Sequence, residues 1–157
     1  MFAAYFTRQV AADQAAGTAQ WGNAVSLAGL VVAIAGPVLG AAADQGGQRK
    51  PWIAGFTGVC VAATGLLWLV EPSPGFVPLA LALLVIGIVG TELAGVFYNA
   101  MLPELVPPER VGRWSGWAWG FGYLGGLVCL TVALFALVKG GGSLGLDPGA
   151  AEPVRAT

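Results

Sequence analysis

Residues 76–102 read FVPLALALLVIGIVGTELAGVFYNAML, a run in which Glu92 is the one charged side chain. As an α-helix rising 1.5 Å per residue it extends about 40 Å, more than the roughly 30 Å hydrocarbon layer of a bilayer. Three more runs reach spanning length, Trp21–Ala43, Trp52–Val70 and Trp114–Val138, and none of them carries a charge. Glycine and proline inside such runs suit membrane helices, where neighbouring helices satisfy freed backbone groups. The alternating ten-residue segments of an outer-membrane barrel are absent. These runs predict an all-α fold, a polytopic transmembrane helix bundle of four spans.

The composition agrees. The 157 residues are 57% hydrophobic and only 10% charged, with a mean hydropathy of +0.77, whereas soluble domains carry about 25% charged residues. A net charge of -1 leaves no basic footprint for nucleic acid. There is no His, and Cys60 and Cys129 both sit in apolar runs. The commonest general base and the usual metal clusters are therefore wanting, no cofactor or metal is expected, and the cysteines read as small packing residues. The glycine run Gly140–Gly142 lacks the Lys-Ser/Thr of a phosphate loop. An enzyme is disfavoured.

Residues 1–20 hold a short apolar start, Phe2–Phe6, followed by Arg8 and Asp13. They lack the basic region followed by an apolar core of a secretory signal, and five apolar residues cannot span. Residues 21–138 form the predicted bundle, and 139–157, rich in Gly, Ala and Pro, read as a flexible tail. Arg49 and Lys50 mark the loop at 44–51, and Arg110 and Arg113 the loop at 103–113, while 71–75 has no basic residue. Basic residues favour the cytoplasmic side, so the first two loops are expected there and both chain ends outside. Trp21, Trp52, Trp68 and Trp114 stand at the predicted span ends, where amphipathic rings favour the headgroups.

The first of these loops reads Gly40-Ala-Ala-Ala-Asp44-Gln-Gly-Gly47-Gln-Arg49-Lys50. Taken physically, glycines permit a tight turn and two cations anchor the next helix. The residue order is similar to the signature loop between the second and third helices of the major facilitator superfamily. Gly40, Ala43, Asp44, Gly47 and Arg49 match, while Ala42, Gln45 and Gln48 depart and remove two charges. The second loop and its flanks carry Phe97-Tyr-Asn-Ala-Met-Leu-Pro103, then Arg110-Val-Gly-Arg113-Trp-Ser-Gly116, then Gly122-Tyr-Leu-Gly-Gly126. Together these runs resemble the Atg22-like branch of that superfamily, the vacuole effluxers and their bacterial relatives.

The resemblance covers about residues 2–138. It implies a transporter of about twelve helices in two halves, each half built from inverted three-helix repeats. On that alignment the four spans are the second to fifth helices of the N-terminal half, and Phe2–Phe6 is the outer end of a first helix. The chain is then expected to be part of a larger secondary active transporter that moves a small solute by alternating access. Amino acids are the class to test first. An integral position in a bacterial cytoplasmic membrane follows, with the bilayer, the solute and the remainder of the transporter as partners.

Glu92 is the candidate for substrate contact or proton coupling, because a carboxylate within a span costs a few kcal/mol and normally faces a polar cavity or partner. A structural hydrogen-bonding role stands beside that reading. Helical spacing puts Ile88, Glu92, Gly95 and Asn99 on one face, so Asn99 can share the cavity. Asp44 with Arg110 or Arg113 forms a candidate latch between the two cytoplasmic loops. The competing reading is independent solvated charges, since an exposed pair is worth about 0–1 kcal/mol. Gly36/Gly40, Gly116/Gly120 and Gly122/Gly126 have the i,i+4 spacing of close helix packing. Pro37 suggests a bend or hinge. Asn23, Ser26, Thr57, Thr64, Thr91 and Thr131 are polar enough to line a path, although most Ser and Thr in membrane helices bond their own backbone. Two other functions compete: a self-contained four-helix transporter acting as a homodimer, and a membrane subunit that transports nothing.

Overall fold

The computed structural model describes residues 2–46 and 49–139, with the backbone alone at 44–46 and at Val138. Every regular element among the described residues is helical. Four helices are long and apolar enough to cross a membrane, over Gln14–Ala43, Lys50–Leu69, Pro74–Leu105 and Pro108–Leu137. The described chain falls into two compact units, Met1–Asn99 and Ala100–Thr157, each considered by itself.

The first unit opens with a turn of helix, α1 (Phe2–Tyr5), that widens into a π-helical turn over Phe6–Val10. Tyr5, Phe6 and Val10 are buried. Phe6 packs on Trp21 with ring centres 5.6 Å apart, and Phe2 lies 6.1 Å from the same indole. The Tyr5 hydroxyl donates to the Val70 carbonyl at 2.8 Å, which ties this segment to the residue just after the helix over Lys50–Leu69. A Cβ at Gly17 would come within 2.6 Å of the Ala11 Cβ and 3.3 Å of the Thr7 Cα. Only glycine lets the next helix pass so close to the π-turn.

Helix α2 (Gln14–Gly46) starts seven residues before the apolar run that marks it in the sequence. Its start is set by Asp13, whose Oδ2 accepts from the Ala16 amide at 3.0 Å and so satisfies one of the orphan donors of the first turn. Hydropathy locates where a helix enters hydrocarbon, and the cap locates where it begins. Pro37 lies inside α2, which continues to Gly46. Helix α3 (Lys50–Leu66) has Pro51 in its first turn, where no intrahelical N–H is lost, and tightens into a 3-10 turn over Leu67–Leu69.

A 3-10 turn at Pro74–Phe76 leads into α4 (Val77–Leu105), which absorbs Pro103 where the sequence suggests a loop. In the second unit, a 3-10 turn at Pro108–Arg110 precedes α5 (Val111–Val132), and a π-helical segment follows over Ala133–Lys139. Lys139, expected to open the tail, closes that segment with its ammonium 4.8 Å from the Phe135 ring centre. Residues 140–157, the rest of the expected tail, lie outside the described residues.

Candidate functional site

Helix α4 has two faces of opposite character. One buries Ala80, Leu83, Gly90, Leu93 and Phe97. At 100° per residue Glu92 points about 160° away from the middle of that face, and Asn99 about 180° away. Both are exposed, as is Val96 between them. Within Pro74–Leu105, Glu92 lies about 27 Å from one end and about 20 Å from the other, deep in the span.

The opposite face is locked to α3. A Cβ at Gly90 would stand 2.9 Å from the Phe56 carbonyl oxygen, 3.1 Å from the Cys60 amide nitrogen and 3.3 Å from the Cys60 Cβ. Two of these are backbone atoms, so the helices approach as closely as a missing side chain permits. One turn earlier, a Cβ at Gly87 would find the Ala63 Cβ at an ordinary 3.8 Å. Beside Gly90, the Thr91 hydroxyl donates to the Gly87 carbonyl at 3.0 Å and lies 3.0 Å from the Cys60 sulfur. A hydroxyl has one hydrogen, so the thiol is the donor across the seam. Below it Trp52, Phe56 and Phe97 stack, with ring centres 5.6 to 6.2 Å apart and planes within 25° of one another.

This seam lies outside the i,i+4 glycine pairs that stand out in the sequence. Its signal is the set of small residues Gly87, Gly90 and Ala94 at three- and four-residue spacing, one face of a helix. Cys60, read as packing, also bonds Thr91. Ser26, Thr91 and Thr131 each donate to the carbonyl four residues back, the usual fate of hydroxyls in apolar helices. Trp21 and Trp52 pack on other rings, and Trp21 lies seven residues inside its helix, not at its start.

The remaining candidates lie outside this seam. Among the described residues, a Cβ at Gly36, Gly40, Gly116, Gly120, Gly122 or Gly126 would meet nothing within 4 Å. Gly36 is buried, Gly40 half-buried and the four α5 glycines exposed. Arg49 is half-buried before α3 and Lys50 is exposed at its start, while Arg110 and Arg113 are exposed in the second unit. Gly47 and the side chain of Asp44 lie outside the described residues. No group of three His, Cys, Asp or Glu able to hold a metal occurs among the described residues.

Long charge-poor helices mark a polytopic membrane protein, and comparison with known proteins identifies its family. A family model, the Major Facilitator Superfamily, matches residues 1–142. The chain belongs to this superfamily. It is similar to an uncharacterized MFS-type transporter, YxiO, of Bacillus subtilis (strain 168), with 29% identity over 121 residues. That stretch is 77% of this chain and 28% of the relative, so the chain spans under a third of that transporter's length. No solved structure matches. The molecule is thus an integral membrane protein of a transporter family, and membership points away from an enzyme. The match reaches the superfamily and distinguishes no branch within it.

Proposed function

We propose that this chain supplies helices two to five of the N-terminal half of an Atg22-like secondary active transporter, which moves a small solute by alternating access. The observation that carries the proposal is the placement of Glu92. It lies deep in a span and on the face of α4 turned away from its packed seam. Lipid cannot solvate a carboxylate there, so the face turns to a hydrated path or a polar partner. Glu92 takes up and releases a proton or holds a solute amine, with Asn99 two turns along the same face. Amino acids, which carry such an amine, are the solutes to try first. The loops at 44–51 and 103–113 are cytoplasmic, and Asp44 pairs with Arg110 or Arg113 to latch that side. The α5 glycines and Gly36/Gly40 receive helices of the remaining transporter.

The test is uptake of radiolabelled amino acids into proteoliposomes that hold the complete transporter, with and without an imposed pH gradient. Gradient-driven uptake is expected in the parent and absent in Glu92→Gln, while counterflow without a gradient survives. Gradient-driven uptake retained by Glu92→Gln rejects the coupling role. Unchanged kinetics in Asp44→Asn reject the latch.

A further inference from the structure

Three consecutive residues of α4 link the packed seam to the polar face: Gly90 touches α3, Thr91 bonds it, and Glu92 points away. A helix is stiff about its axis, so whatever fixes the rotation of α4 at Gly90 also fixes where the Glu92 carboxylate sits. The carboxylate lies about 5–6 Å from the axis, and a turn of about 10° displaces it by about 1 Å. The seam is built to resist such a turn. Gly90 abuts backbone atoms of Phe56 and Cys60, which cannot swing aside as a side-chain tip can. The chain from the Cys60 thiol through the Thr91 hydroxyl to the Gly87 carbonyl adds a directional tie on the same turn.

We infer that Gly90, Thr91 and Cys60 are positioning residues that set the direction of Glu92 from behind, making α3 the backstop of the coupling carboxylate. This rests on the role given to Glu92 above. Gly87 shares the face but not the role, because a methyl there meets α3 at ordinary contact distance.

The experiment measures how fast dicyclohexylcarbodiimide, which modifies protonated carboxyls in apolar surroundings, labels Glu92 in the purified full chain. Mass spectrometry locates the adduct, and Glu92→Gln serves as the blank. A misplacement of about 1 Å costs a reacting group up to about a hundredfold, so Gly90→Ala is expected to change the labelling rate by about fivefold or more. Gly87→Ala is expected to stay within about twofold of the parent. A parent rate in Gly90→Ala overturns the inference. If Gly90→Ala does not fold, Thr91→Val decides the matter, since it keeps the shape and loses the tie. A change of about threefold, restored by Thr91→Ser, supports positioning, and an unchanged rate overturns it. Absence of the Glu92 adduct in the parent chain instead defeats the coupling role of Glu92, and positioning with it.

Discussion

The two faces of α4 solve different problems with the same backbone. Towards α3 the helix gives up side-chain volume at Gly90 and lays Phe97 flat against Trp52 and Phe56. On the far side it carries Glu92 and Asn99, both exposed. In a bilayer the tails are as apolar as leucine, so burying greasy surface does little to join helices, and close contact must do that work. The packed face is therefore specified by shape and the other by charge. Stability should depend on the first and function on the second, and substitutions placed on each can separate the two.

The largest effect on stability is expected at Gly90. An alanine methyl 2.9 Å from the Phe56 carbonyl forces the helices apart, and Gly90→Ala should cost about 3 kcal/mol, the upper end for overpacking. Thermal unfolding in detergent measures this, and Gly87→Ala is the matched comparison that should barely move. Equal melting of the two variants would break the claim that shape rules the packed face. Phe97→Ala comes next. Removing a buried ring costs about 3–5 kcal/mol in a soluble core, but lipid refunds part of the transfer term, leaving about 2 kcal/mol from lost contact. A loss of the soluble-core size would show that α4 is shielded from lipid at Phe97.

Much of this contrast is legible in the sequence. Four charge-poor runs announce four membrane helices, because hydrocarbon tolerates few alternatives. The isolation of Glu92 within a span is visible for the same reason, and the spacing to Asn99 follows from helical geometry. Helix starts are harder to read, because α2 begins at the Asp13 cap, in polar sequence where hydropathy has nothing to report. Packing was harder still. The i,i+4 glycine pairs of α5 stand out in the sequence, yet Gly90, in a less conspicuous pattern, makes the contact. Spacing shows which positions share a face; only a neighbouring backbone decides which of them is touched.

A smaller effect is expected from Thr91→Val. Hydrogen bonds between membrane helices average about 0.6 kcal/mol, because the separated helices find other partners in the bilayer. The cross-seam tie to Cys60 is single, so the change should be of that size. Thr91→Ser, which keeps the hydroxyl that accepts from Cys60, should recover it. A cost several times larger would mean that the tie is part of a wider polar network, and the packed face would no longer be one of shape alone.

The smallest stability effect belongs to Glu92→Gln. If the carboxylate serves transport and not packing, exchanging it for an isosteric amide removes a charge that the α3–α4 seam does not use. The melting temperature should then stay within about 2 °C of the parent, while gradient-driven uptake disappears. A large drop in stability would reverse the division of labour between the faces. It would make Glu92 the anchor of a structural hydrogen bond, the second reading its sequence position allows. A modest rise would strengthen the division, since a group held in place for function at a cost to stability leaves a more stable protein when neutralised.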